Sequence, residues 1–323
     1  MKNKKIVIAG GSGFIGQEIA KWFGEKNEIV ILSRGVGGNN NRYTKENAPL
    51  PNTRFVRWDG KTLGDWADEI NGADLLVNLA GKSVNCRYNV KNKQEIFDSR
   101  TQSTAILGEA IRKATQPPKL WINAASATIY RHALDRPQDE LTGEFHNDFS
   151  VQVCKLWEKT FFDQLTPFTR KIALRMAVTL GENGVMVPYL NLAKFGLGGY
   201  QGNGCQMYSW VHIHDVCRTM EHCEEHSEME GVYNCCSPYP VNNKQFMQTL
   251  RKVTRCLVGL PAPAWVLKIG AVVIGTEAEL LLKSRWVLPT RLLATGFQFR
   301  YTYLQDAMKQ IIDSIPRKRY HLF

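Results

Sequence analysis

Short, wholly apolar runs alternate with amphipathic stretches through the first half of the chain. Ile6-Val7-Ile8-Ala9 has the continuous apolar character of a strand buried on both faces. It ends in Gly10-Gly11, and Ile15, Ile19, Ala20 and Phe23 then recur at helical spacing. A second apolar run, Ile29 to Leu32, ends at Ser33-Arg34, and the polar, Gly/Asn/Pro-rich segment 35–52 reads as a loop. Phe55–Trp58, Leu75–Leu79, Leu120–Ala124 and Ile172–Met176 read as further strands. A long helix is expected from about Lys91 to Ala114, stopping before Pro117-Pro118. Strands alternating with helices imply right-handed βαβ units, hence an α/β fold with a doubly wound parallel Rossmann sheet.

Beyond about Val178 the pattern changes. Glycines at 181, 184, 196, 198, 199, 202 and 204 mark a hinge or substrate-side loop, and no Gly-Lys-Ser/Thr follows to make a nucleotide-triphosphate loop. From Leu260 to about Phe299 a helical pattern is broken by Pro261, Pro263 and Pro289, which suggests a smaller C-terminal unit. The expected organisation is a Rossmann domain over 1–240 with substrate-side segments within 181–206. A small helical unit follows over 255–303, then a terminal helix and basic tail over 304–323. The tail triplet Arg317-Lys318-Arg319 reads as a solvated end.

Composition narrows the class. The 41 basic and 30 acidic side chains leave a net charge of +11, spread without a dense basic block. That favours anionic ligands but carries no nucleic-acid recognition motif. Eight cysteines without CxxC spacing fit free thiols in a reducing compartment, so a cytoplasmic protein is expected. The most apolar stretch, Leu257–Gly275, holds two prolines and a lysine, unlike the roughly 20 clean apolar residues of a membrane span. No membrane partner is expected, and a homodimer is left open.

The strongest chemical signal is Gly10-Gly11-Ser12-Gly13-Phe14-Ile15-Gly16, placed between a strand and a helix. Glycines there let a dinucleotide's pyrophosphate approach the N–H groups that open the helix. An NAD site usually ends the second strand in Asp or Glu. Here Ser33-Arg34 stands in that place, with no acid until Glu46. A hydroxyl and a forked guanidinium suit a 2′-phosphate, so NADP(H) is favoured over NAD(H).

Together with Asn78-Leu79-Ala80-Gly81 and the segment Ala125-Ser126-Ala127-Thr128-Ile129-Tyr130, this turn resembles the extended short-chain dehydrogenase/reductases. Asp98-Ser99-Arg100, Lys155-Leu156-Trp157-Glu158, the stretches 210–215 and 237–241, and the run from Val287-Leu288-Pro289 to Gly296-Phe297 narrow the likeness. The chain is similar to the "epimerase family protein" group, NADP-dependent oxidoreductases with their own C-terminal domain of unknown function. The resemblance implies that Gly10, Gly13, Phe14, Ile15 and Gly16 surround the pyrophosphate and that Ser33 and Arg34 hold the adenosine phosphate. It further implies that Leu79, Ala80, Glu95, Arg100 and Thr179 contact the cofactor.

A typical reductase of this class uses a serine and a Tyr-x-x-x-Lys pair, because a phenol is too weak an acid near neutral pH without a neighbouring cation. Ser126 is present. Counting back from Trp157-Glu158, the tyrosine position holds Ser150 and the lysine position Cys154, and no tyrosine in the chain has a lysine four residues on. Lys155 is turned about 100° around the helix from the required face. Tyr130, Cys154, a histidine or a water are the alternatives for the acid, and a non-catalytic NADP(H)-binding regulatory or interaction protein is the other reading. The substrate is an unidentified small molecule.

His212, His214, His222 and His226, with Cys217 and Cys223 nearby, complete no metal motif, and no metal is expected. Asp215 is expected to cap the helix after the 210–214 strand. Trp265, Trp286, Phe297 and Phe299 read as core of the C-terminal unit, and the basic residues between Arg87 and Lys93 read equally as a solvated turn or as an attraction for an acidic substrate.

Overall fold

The computed structural model describes residues 1–35, 50–273 and 275–321. Most of the expected 35–52 loop, with Glu46, lies outside the described residues. In chain order the strands are β1 (Lys5–Ala9), β2 (Glu28–Ser33), β3 (Thr53–Arg57), β4 (Leu75–Asn78), β5 (Leu120–Ser126) and β6 (Arg170–Met176). They are followed by β7 (Val178–Leu180), β8 (Met207–Tyr208), β9 (Trp210–His212), β10 (Gly231–Cys235) and β11 (Val241–Asn242). Seven form one sheet in the order β10-β6-β5-β4-β1-β2-β3, every pair parallel. The order reverses between β1 and β4, which opens a crevice at the C-terminal ends of those strands.

The helices are α1 (Phe14–Gly24), α2 (Val90–Lys113), α3 (Phe149–Phe162), α4 (Met186–Lys194) and α5 (Ile213–Glu225). After them come α6 (Asn243–Thr254), α7 (Ala264–Val273), α8 (Glu279–Leu282), α9 (Thr290–Ala294) and α10 (Leu304–Ser314). One face of the sheet buries Ile6, Ile8, Ile29 and Ile31 against Ile19 and Phe23 of α1 and Val216 and Met220 of α5. The other buries Val7, Leu76 and Trp121 against Leu107 and Ile111 of α2 and Phe161 of α3. A third cluster joins α4, α6 and α10 beside the sheet.

The six expected strands are all present. The seventh, β10, leaves no strand signal in the sequence, because Gly231-Val232-Tyr233-Asn234-Cys235 mixes polar and apolar residues at the sheet edge. The glycine-rich 181–206 stretch contains α4 besides its turns. Two further expectations need correction. The cap of α5 is His212, whose side chain accepts from the His214 N–H. Asp215 instead accepts the N–H groups of Arg300 and Tyr301 at 2.8 and 2.9 Å, tying the C-terminal segment down. The basic tail is docked rather than a free end: Arg319 donates to the Glu182 carbonyl and the ring of His321 meets the Thr254 carbonyl.

Among the described residues, no buried cluster is formed by the C-terminal segment alone. Leu292, Phe297 and Phe299 enter the cluster under α1 and α5, whereas Trp265 is 66% exposed. All eight cysteines are free thiols. No helix among the described residues is long and apolar enough to cross a membrane.

Candidate functional site

The β1–α1 turn is built so that its backbone lies bare to the crevice. Gly10 has φ +73°, and a Cβ there would meet the Ala80 Cα at 2.7 Å, so only glycine lets the turn sit on the end of β4. A Cβ on Gly16 would strike Gly11 at 2.4 Å, which fixes how closely α1 seats on its own turn. Gly13 differs. It is the N-cap of α1, and a Cβ there would meet nothing within 4 Å. No side chain caps this helix and its first turn carries no acid. Unpaired N–H groups and the positive end of the helix dipole therefore face open space, the arrangement that receives a phosphate. Phe14 leans on the other wall, packed against Gly181 and Gly184, so α1 also braces the substrate-side segment.

At the end of β2, Ser33 is buried and Arg34 exposed. Ser33 Oγ accepts from the Gly35 N–H at 3.4 Å. The parallel register sets Arg57 of β3 beside Ser33, bringing a second exposed guanidinium to the same corner. Sequence reasoning missed Arg57, because its relevance depends on β3 lying next to β2.

The ends of β4 and β5 are locked by a buried amide network. Asn78 donates to Asn123 Oδ1 at 2.7 Å and to Thr104, and its own Oδ1 accepts from the Ala80 N–H. Trp157 also donates to Thr104. This sets the course of Leu79 and Ala80 along the crevice floor. Lys82 follows, ion-paired with Glu95 and bonded to Asn92 at 2.8 Å, and its hydrogen bond, with its charge behind it, lowers the Glu95 carboxyl pKa. Arg100 donates to the carbonyls of Lys82 and Ile96 and lies over the Trp157 ring at 5.1 Å. Burial pulls its pKa down from the usual guanidinium value, and no carboxylate pairs with it among the described residues. A cation so placed suits an anionic group in the crevice. Thr179 lies on β7, paired in register with Val211 of β9, its hydroxyl on the Ala177 carbonyl.

Ser126 ends β5. Its Oγ accepts the Thr128 N–H at 3.2 Å, which leaves its own proton available to a ligand oxygen. Tyr130 is buried away from this edge. Its hydroxyl donates to Asn234 at 3.1 Å and accepts from Arg175 at 2.7 Å, while Arg175 forks onto Glu158 through two 2.8 Å bonds. Burial pushes the Tyr130 phenol up to about 12, and Asn234 and Arg175 occupy both hydrogen-bonding sides of its hydroxyl, which leaves no place there for a substrate oxygen. This geometry gives Tyr130 a structural place.

Ser150 and Cys154 are both buried on the inner face of α3. Burial pushes the Cys154 thiol up to about 12, so it is no ready nucleophile. Around them the fold gathers groups from far along the sequence. Lys283 pairs with Asp148 at 2.8 Å, and Arg285 donates to Thr128 at 3.1 Å. Neither had a sequence signal, because both come from the C-terminal segment.

Comparison with known proteins shows the family. Residues 6–158 match the NAD dependent epimerase/dehydratase family, and residues 262–311 match a domain of unknown function, DUF1731. The epimerase family protein YfhF of Bacillus subtilis (strain 168) is 31% identical over 308 residues, 95% of this chain and 97% of its own. The chain is an epimerase family protein. It belongs with the extended short-chain dehydrogenase/reductases that carry a DUF1731 segment. The human epimerase family protein SDR39U1 is 30% identical over 95% of this chain and 99% of its own. The crystal structure of human SDR39U1 (isoform2) with NADPH superposes with a TM-score of 0.83 at 29% identity, covering 96% of this epimerase family protein and all of that chain. A nucleoside-diphosphate sugar epimerase from Corynebacterium glutamicum gives 0.70 at 25% identity, covering 96% of this chain and 58% of its own.

Proposed function

We propose that this epimerase family protein binds NADP(H) and carries out oxidoreductase or epimerase-like chemistry on a small molecule bearing a carbonyl or an oxidisable hydroxyl. The observation that carries the reading is the bare turn: an uncapped helix N-terminus whose N-cap Gly13 faces open space at the sheet's switch point. The NADPH in the human relative's structure supports the same cofactor here. In this reading Gly10, Gly13, Phe14, Ile15 and Gly16 surround the pyrophosphate. Ser33, Arg34 and Arg57 take the 2′-phosphate, and Leu79, Ala80, Glu95, Arg100 and Thr179 complete the contacts. The bound cofactor supplies or accepts a hydride. Ser126 holds the substrate oxygen. Eight free thiols fit a reducing, cytoplasmic setting.

Titration of the purified chain with NADPH and NADH, repeated on Arg34→Glu, tests the reading. NADPH should bind well below millimolar and lose about tenfold or more in Arg34→Glu, while NADH changes little. If neither nucleotide binds below millimolar, the reading fails. Ser150 and Cys154 on α3 favour one second reading, an NADP(H)-binding regulatory or interaction protein without turnover. Tight NADPH binding with a partner affinity that follows it, and no oxidation of NADPH by any carbonyl, would decide for that alternative.

A further inference from the structure

Ser150 stands where the phenol of a typical reductase would be, yet a phenol is beside it. Tyr88 lies on the β4–α2 connection, its ring meeting Phe149 edge-on at 4.8 Å between centroids. Its hydroxyl is buried and makes no hydrogen bond of full geometry, with the Ser150 side chain next to it. We propose that Tyr88 is the catalytic acid of this protein, a phenol returned to the Ser150 position by the β4–α2 loop and fixed there by the C-terminal segment.

The fixing contacts are explicit. Glu277 accepts the Tyr88 backbone N–H at 2.8 Å, and the Arg87 guanidinium grips the Thr276 carbonyl at 2.9 Å. Positive charge also stands near the phenol, where a typical reductase has its lysine. Arg100 and Arg285 both act on the phenol or its surroundings through space, and neither has a carboxylate partner among the described residues. Glu279 opposes them, and burial outweighs the rest, so the phenol stays protonated at neutral pH. The protonated phenol is the form a donor starts from, and the two guanidiniums favour the phenolate that donation leaves. Tyr130 has both hydrogen-bonding sides of its hydroxyl occupied, whereas Tyr88 has an orphan hydroxyl. An orphan in so polar a place calls for a partner, and a substrate oxygen provides one.

This inference rests on the NADP(H) reading above. In the reductive direction Tyr88 gives its phenolic proton to the carbonyl oxygen as the carbonyl carbon takes the hydride that the reduced dinucleotide supplies. The C=O π bond is replaced by one C–H and one O–H bond. The carbonyl is reduced, the dinucleotide is oxidised, and the phenolate recovers its proton from water by way of Ser150. Arg285 is a positioning residue that holds positive charge toward the phenol.

Two measurements on the full chain test this. With NADPH and phenanthrenequinone as the carbonyl probe, Tyr88→Phe should lose about 10²–10⁴-fold in kcat while its NADPH Kd stays within about twofold. Turnover within about threefold of the unsubstituted chain overturns the assignment. The second readout needs no turnover. In fluorotyrosine-labelled protein, the fluorine NMR signal that Tyr88→Phe removes should move when NADPH saturates the site. Its ionisation midpoint should rise by at least about half a pH unit in Arg285→Met. A signal unmoved by bound NADPH overturns the role of Tyr88 alone. Failure of NADPH to bind at all overturns the parent reading, and Tyr88 falls with it.

Discussion

Gly10 and Gly13 are three residues apart in one turn and are glycine for different reasons. At Gly10 the left-handed φ and the 2.7 Å approach of Ala80 are demands of the fold. Gly10→Ala should therefore cost about 2–5 kcal/mol, read as a fall in the denaturation midpoint. At Gly13 φ is −83° and nothing in the protein meets a Cβ. Gly13→Ala should stay within about 1 kcal/mol of the unsubstituted chain but bind NADPH about tenfold or more weakly, because the methyl occupies the phosphate's place. Equal binding by Gly13→Ala and the unsubstituted chain would sink this assignment. Positions of this kind are legible in sequence when they are local: the glycine turn opens α1, Ser33 and Arg34 lie at the end of β2, and Ser126 ends β5, as their neighbours in the chain predict. Arg57, Tyr88 and Arg285 are not local. Each acquires meaning from a register or a docking contact that one sequence does not display.

At the scale of elements, β1, β2, β4 and β5 are legible because strands buried on both faces carry apolar runs of three or more residues, while β10, an edge strand with polar residues, has none that long. Caps are harder, and the start of α5 shows why. Asp215 has the expected residue type, but His212 does the capping and Asp215 holds a distant backbone. Since His212 Nδ1 accepts the His214 N–H, the ring proton is on Nε2 and is donated to Gln310 of α10 at 2.8 Å. Burial pushes this imidazole down to about 3, from 6.5. The unfolded chain takes up that proton below pH 6.5 and the folded chain does not until about 3, so stability is lost as pH falls through this window. The loss attributable to His212 between pH 7 and pH 5 is about 2 kcal/mol. His212→Asn keeps an acceptor for the cap and a donor for Gln310 but cannot titrate. Its urea-derived stability should fall by about 2 kcal/mol less over the same interval. Parallel pH profiles for the two proteins would contradict the assignment.

For the whole molecule, the question is whether the C-terminal segment is an appendage or part of one cooperative body. The prolines after Leu260 suggest a separate small unit, but the packing runs through both. Leu292, Phe297 and Phe299 complete the layer beneath α1 and α5, and Met308, Ile311 and Ile312 of α10 complete the cluster with α4 and α6. Six such side chains at about 1.5–3 kcal/mol each amount to as much as the about 5–15 kcal/mol that holds a typical domain folded. Asp215 and Glu277 add backbone ties between the two regions, and Glu277 reaches the very loop that carries Tyr88. Stability and site assembly thus depend on the same segment. A chain ending at Thr254 should show no cooperative thermal transition, weak near-ultraviolet circular dichroism and no NADPH binding, while the full chain melts in a single calorimetric step. A truncated chain that still melts cooperatively and binds NADPH would mean that the Rossmann sheet closes its own core, and that the C-terminal segment serves the substrate alone.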